Sequence, residues 1–204
     1  MNLFFSYLAV LLFSYLIGSI PFSLIFANII KGVDVRQEGS GNVGASNVLV
    51  TTGKRAAALA VLFDITKGFT AVIAARFVIG PGFPEIPAAL MAILGHDFPV
   101  YLNFKGGKGI SSTAGAIIAM NPYVFAVCLL FYVGFLAVTR YLILSSLLTL
   151  AAIPVLFYLL KDDPWYVCFA AIALVIALFA HRDDIHRLIL GNETPLGASL
   201  ARVV

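Results

Sequence analysis

The sequence predicts an all-α integral membrane protein, a single transmembrane domain over residues 1–204, and three observations lead there. Hydrophobic residues make up 61% of the chain and charged residues 11%, with a mean hydropathy of +1.02, too few charges to coat a water-facing surface. Seven predominantly apolar runs recur along it, several long enough for a helix to cross about 30 Å of hydrocarbon. The breaks between them are rich in glycine, proline and charge, as turns at a membrane surface are. Cys128 and Cys168 stand alone in apolar runs and read as small core residues, which excludes a disulfide framework or a Cys-x-x-Cys metal site.

The first run, Leu3–Ile30, opens without charge and stays apolar far beyond the length of a signal-peptide core, so it reads as a retained span. Ala56–Ile79 follows. Its Asp64 and Lys67 lie three apart on one helix face, where pairing offsets the roughly 2.5–3.5 kcal/mol that an unpaired charge costs at the centre of a bilayer. Arg76, near the far end, is expected to snorkel to the surface. Ile86–Leu102 and Ile110–Met120 are short against the roughly 20 residues of a spanning helix, and they flank NFKGGKGISS at 103–112. Irregular backbone is not tolerated against lipid, so short helices meeting at such a loop are expected to line a polar cavity. Tyr123–Val138, Tyr141–Leu160 and Pro164–Ala180 complete an expected seven transmembrane helices.

The cations set the orientation. With the N-terminus outside, the inner breaks and tail hold Lys31, Arg36, Lys54, Arg55, Lys105, Lys108, Arg140, Arg182, Arg187 and Arg202, whereas the outer breaks hold only Lys161. By the positive-inside rule this predicts an outside N-terminus and a cytoplasmic C-terminus. Three stretches able to carry chemistry then share the cytoplasmic side: EGSGNVGASN at 38–47, GHDFPVYLNFKGGKGISS at 95–112 and HRDDIHRLILGNE at 181–193. Singly, each is compatible with a tight turn or a helix cap, and GGKG lacks the upstream glycine of a nucleotide-binding P-loop. Together they say more. Glycines let backbone N–H groups approach and cradle an anion, a helix N-terminus adds its dipole, and Lys105 and Lys108 add charge. Such a site suits two phosphates, or one large one.

GSGNVGASN, GHDFPVYLNFKGGKGISS and HRDDIHRLILGNE, with FDITKG at 63–68 and TRY at 139–141, resemble in order the motifs of the bacterial acyl-phosphate-dependent glycerol-3-phosphate acyltransferase family, over nearly the whole chain. The resemblance implies a seven-helix membrane enzyme of phospholipid synthesis. It would move a fatty acyl group from acyl phosphate to the 1-hydroxyl of glycerol 3-phosphate, giving lysophosphatidate and phosphate, with no metal, no other cofactor and no coenzyme A. Its partners would be those two substrates and membrane lipids, with no nucleic acid. Carried onto matching positions, it makes Lys108 a phosphate-binding active-site lysine, with Ser40, His181 and Asp184 as further catalytic candidates. Gly39, Gly41, Asn42, Asn47, His96, Lys105, Gly106, Gly107, Gly109, Ser112 and Glu193 become candidate substrate or phosphate contacts.

The residue chemistry fits such a reaction. Acyl phosphate is a mixed anhydride with a good leaving group, so positioning and charge stabilisation suffice without a covalent nucleophile. No Gly-x-Ser-x-Gly elbow is present. Ser40 therefore reads as a donor to phosphate, and the base is either His181 or the donor's own phosphate.

Three departures from the family pattern stand out. Val50 takes the place of a usual arginine, Asp184 that of an asparagine, and Ile143 that of a serine. Asp184, if it faces substrate phosphate, is expected to repel it. Lys54 and Arg55 are placed to compensate at Val50. Two functions stay open on the sequence: the acyltransferase, and a non-catalytic or transport relative that binds phosphate-bearing lipids or anions.

Overall fold

The computed structural model describes residues 2–160 and 162–196; Lys161 and Arg202, counted in the charge asymmetry, lie outside the described residues. The described chain is helical, without strands, and forms two compact units that divide between Met120 and Asn121.

The first unit holds α1 (Leu3–Gly18), α2 (Phe22–Lys31), α3 (Ala45–Thr51), α4 (Lys54–Val78), α5 (Glu85–Asp97), a 3-10 turn at Val100–Leu102, and α6 (Ile110–Met120). The first apolar run is not one helix. Pro21 lacks an N–H and biases Ile20 away from helical backbone, so α1 stops at Gly18 and α2 begins afresh at Phe22.

Glycines draw the helices together. A Cβ on Gly68 of α4 would overlap the Ser112 carbonyl of α6, and one on Gly115 would overlap the Ile65 carbonyl. Gly18 of α1 meets Ala92 of α5 in the same way, as Gly95 meets Tyr15. Lipid tails are as apolar as leucine, so membrane helices associate through such close backbone contact. Asp64 and Arg76 of α4 meet Ser112 and Ala119 of α6 in turn, which makes these two helices parallel. α1 and α5 are parallel to each other by the same test, Val10 packing with Ala88 and Gly18 with Ala92, while Val10 also meets Ala75 near the far end of α4. The start of α4, the end of α5 and the start of α6 therefore share one end of the unit. Arg76 does not snorkel: it lies 2.6 Å from Glu85, which is fully buried, and donates to the Ala119 carbonyl at 2.9 Å, clamping the opposite end.

The second unit holds α7 (Pro122–Thr139), α8 (Leu142–Leu159), α9 (Pro164–Ala180) and α10 (Arg182–Ile189). Asn121 caps α7 and donates through its amide to Asp162, while Asp163 caps α9. α10 turns from α9 by 64° at His181. The Leu196 N–H donates to the Arg140 carbonyl at 2.8 Å, joining the end of the third motif stretch to the Thr139–Tyr141 turn. Cys128 is buried as expected, whereas Cys168 is exposed and not a core residue.

All seven apolar runs appear as helix, the first in two pieces. By length and apolarity, Leu3–Lys31, α4, α7 and α8 can cross a membrane, with α9 and α10 together a fifth. α5 and α6, of 13 and 11 residues, reach about 20 and 17 Å. They are short, as the sequence indicates, and fall below the hydrocarbon thickness.

Candidate active site

The first glycine loop is organised by one buried side chain. Asn47, in the first turn of α3, donates its amide to the carbonyls of Val35 at 2.8 Å and of Glu38 and Asn42 at 3.0 Å, and accepts the Ser40 N–H at 3.0 Å. Gly39 follows from this: its φ is +60°, and a Cβ there would run into the Asn47 amide. Both polar ends of Asn47 are thus engaged within the loop. Ser40 is exposed, and its hydroxyl accepts the Asn42 N–H at 3.5 Å. Upstream, Arg36 forks onto Asp34, and that guanidinium holds the carboxyl below the usual carboxylate range. Val35, Val43 and Val48 bury the underside of the loop, and Leu102 from the second loop packs against them.

The second loop returns onto the helix it leaves. Gly106 and Gly107 donate their N–H groups to the carbonyls of Asp97 and His96, at 3.1 and 3.0 Å, and so satisfy the C-terminus of α5. These two N–H groups, expected to cradle an anion, are occupied. The first helical bond of α6 runs from the Thr113 N–H to the Gly109 carbonyl at 2.8 Å. Helix geometry thus leaves the N–H groups of Ile110, Ser111 and Ser112 without helical partners, at the positive end of the helix dipole. Lys108 sits just ahead of this end, half-buried, and Lys105 is exposed.

Beneath the loop lies a buried polar cluster. The Lys67 ammonium is 2.6 Å from Asp64 and 3.2 Å from Nδ1 of His96, and lies 5.2 Å from the centre of the Phe22 ring. The same Nδ1 lies 3.5 Å from Asp64, and Gly107 packs against the Nε2 side of the ring. Ser23 donates to Asp64 at 3.4 Å, and Ser112 donates to the Asp64 carbonyl at 3.2 Å. A pocket of about 10 Å³, room for about one water, opens between Ser23, Asp64, Lys67, His96 and Gly106. His96 and Ser112, both expected as phosphate contacts, are buried in the seam where α4, α5 and α6 pack.

Two further residues belong to this region and escaped the sequence reading. Ser23 carries no local signal. Asp97 sits beside His96 in the 95–112 stretch, yet reads there as one more surface charge. Its carboxylate is buried against Gly109, and among the described residues neither oxygen has a hydrogen-bond partner. Val50 lies half-buried on α3, and Lys54 and Arg55 start α4, exposed.

In the second unit, His181 is buried at the bend, its Nδ1 2.8 Å from the Ala177 carbonyl. Asp184 is not an open carboxylate. It is buried and paired with Arg187, which also donates to Glu193 at 3.0 Å, so one guanidinium ties both acids together. Arg182 turns away, to the Phe179 carbonyl and ring.

These features define an all-helical integral membrane protein carrying two glycine-rich, cation-bearing loops at one end of its first helical unit. The sequence pattern of the family described as glycerol-3-phosphate acyltransferase matches residues 8–191. A glycerol-3-phosphate acyltransferase of Sinorhizobium medicae is 43% identical over 196 residues, covering 94% of this chain and 93% of that one. Another, from Desulforamulus reducens, is 38% identical over 184 residues, covering 90% and 92%. The fold is similar to that of PlsY (YgiH), an integral membrane glycerol 3-phosphate acyltransferase solved in a glycerol 3-phosphate form, with a TM-score of 0.88 and 33% identity over 93% of this chain and 95% of that one. The chain belongs to the glycerol-3-phosphate acyltransferase family.

Proposed function

We propose that this protein transfers a fatty acyl group from acyl phosphate to the 1-hydroxyl of glycerol 3-phosphate, with both glycine loops facing the cytoplasm. The acceptor follows from the family and from PlsY, solved in glycerol 3-phosphate and lysophosphatidic acid forms. The orientation rests on the cations gathered in the loops of the first unit, Lys31, Arg36, Lys54, Arg55, Lys105 and Lys108. One observation carries the reading: the Asn47-organised loop and the Gly106–Gly109 loop meet through Leu102, and the second loop leads through Lys108 into the start of α6. Donor and acceptor each bring a phosphate, and this arrangement offers N–H groups and cations without a nucleophile.

The step balances simply. The 1-hydroxyl oxygen attacks the acyl carbonyl carbon, the bond from that carbon to the phosphate oxygen breaks, and inorganic phosphate leaves with the bond's electrons. The hydroxyl proton passes to a phosphate oxygen of the donor. Lys108 and the start of α6 stabilise the charge growing on the departing phosphate. Ser40 donates to phosphate. Asn47, His96 and Ser112 position the loops instead of touching substrate.

Purified protein given acyl phosphate and glycerol 3-phosphate should release phosphate and form lysophosphatidate, and acyl-coenzyme A should not replace the donor. Binding of glycerol 3-phosphate without phosphate release would overturn the proposal in favour of a non-catalytic relative.

A further inference from the structure

We infer that the apex of the second loop, residues 98–104, is a lipid anchor: it lies among the bilayer lipids, at the boundary between headgroups and acyl chains, and holds the glycine turn behind it at that depth. The inference goes beyond the acyltransferase reading and does not depend on it.

Contacts within the first unit fix the height of the loop along α4. At its base His96 lies beside Lys67, and Ser112 bonds the Asp64 carbonyl, about 15 Å along the helix from Lys54. At its top Leu102 packs against the cluster that holds Ala56 and Ala57, in the first turn of α4. α4 has 25 residues and reaches about 37 Å, against about 30 Å of hydrocarbon. The lipid boundary therefore crosses it within about 7 Å of Lys54, at the height of the loop's top. Leu59 and Leu62 of α4, which lie between these heights, are exposed and apolar, as a lipid-facing surface is.

The side chains of the apex suit that place. Phe98, Val100, Tyr101 and Phe104 are all exposed, Tyr101 by 56% and Phe104 by 60%. Four large apolar groups on one short loop form a patch that water disfavours and lipid covers. Exposed Lys105 follows directly, and aromatic rings beside a lysine are the pattern of an interfacial anchor, rings among the upper chains and ammonium among the phosphates.

The backbone suits it too. The N–H groups of Leu102 and Phe104 both donate to the Pro99 carbonyl at 3.0 Å, that of Lys105 donates to the Leu102 carbonyl at 3.2 Å, and the Phe98 carbonyl accepts the Tyr15 hydroxyl at 2.8 Å. Lipid offers no partners, and these groups need none from it. Phe104 is held left-handed at φ +61°, after Asn103 at +50°. Asparagine tolerates such backbone, whereas phenylalanine is strained there. Burying the ring in lipid offsets that strain, which leaving it in water would not. On the acyltransferase reading, a donor whose chain lies in the same leaflet meets the loop at its own depth.

Tryptophan fluorescence tests this. Trp165 is the one tryptophan of the chain, so Trp165→Phe gives a dark background in which Phe104→Trp, or Tyr101→Trp as a second reporter, senses the loop's surroundings. In phosphatidylcholine vesicles with iodide on both faces, either reporter should emit at shorter wavelength than tryptophan in water and resist iodide. Lipids brominated near the glycerol end of their chains should quench it more than lipids brominated near the chain ends. Gln37→Trp, on the exposed first loop, should instead be quenched by iodide. Loop reporters quenched by iodide as strongly as position 37, and untouched by brominated lipid, would place the apex in water and overturn the inference. Reporters reached by neither quencher would also overturn it, by showing that a protein partner or a second copy covers the patch. Fluorescence reads no turnover, so a protein that releases no phosphate from acyl phosphate refutes the acyltransferase reading and leaves this test intact.

Discussion

Lys67 and Asp64, each 1% exposed, form a 2.6 Å ion pair inside α4, and the same ammonium reaches His96 on α5. The pair is thus more than a way of hiding two charges in an apolar helix. Through His96, whose ring packs on Gly107 and whose carbonyl accepts the Gly107 N–H, it fixes the height of the second loop above the bundle.

Replacing Lys67 with Met should leave Asp64 buried and uncompensated, lowering stability by about 3–5 kcal/mol. The double variant Lys67→Met with Asp64→Leu should recover much of that loss. Thermal unfolding in detergent measures both. A single variant as stable as wild type would show that water reaches the cluster and screens it.

Lys108→Ala should lower phosphate release by about 100-fold or more, the usual scale for removing one charge-stabilising donor, while the protein still inserts and unfolds at its normal temperature. Release assays and melting curves decide it. Near-normal turnover would sink Lys108 as the phosphate ligand.

Asp184→Asn is expected to raise the KM for glycerol 3-phosphate and lower the melting temperature, because Arg187 would lose its buried partner and its grip on Glu193. The sequence alone suggests the opposite, a carboxylate whose removal would relieve repulsion. Steady-state kinetics separate the two, since a lower KM would mean that Asp184 faces substrate after all.

Val50→Arg should lower the KM for glycerol 3-phosphate by about tenfold if a guanidinium on α3 can fork onto phosphate, since charge-assisted hydrogen bonds contribute roughly 1.5–3 kcal/mol. If Lys54 or Arg55 already fills that role, Val50→Arg brings no gain and alanine at 54 or 55 costs heavily. The three variants compared by KM give one answer or the other.

Much of the fold is legible in the sequence because the membrane reduces it to one question, where apolar runs stop. α6 and α9 begin and end where the charge and turn residues place them, and α4 agrees to within two residues. The break at Ser19–Pro21 falls inside an uncharged apolar run, where a single proline is its only mark. The site is half legible. Motif spacing finds the loops, but which N–H groups stay open depends on the return of Gly106 and Gly107 to α5, a long-range contact with no sequence signature. Asp184 and Arg187 sit three apart on a helix, so their pairing was readable; the burial that makes it decisive was not.

Asn47 closes its loop through four hydrogen bonds drawn from within the chain. Ordering a residue's backbone costs about 1–2 kcal/mol in entropy, and for this loop the loss falls at folding, before any substrate arrives. Substrate then meets a rigid receptor and surrenders only its own freedom. The loop should be equally protected from amide hydrogen exchange with and without glycerol 3-phosphate, and association should proceed in one kinetic phase, without a slower rearrangement behind it.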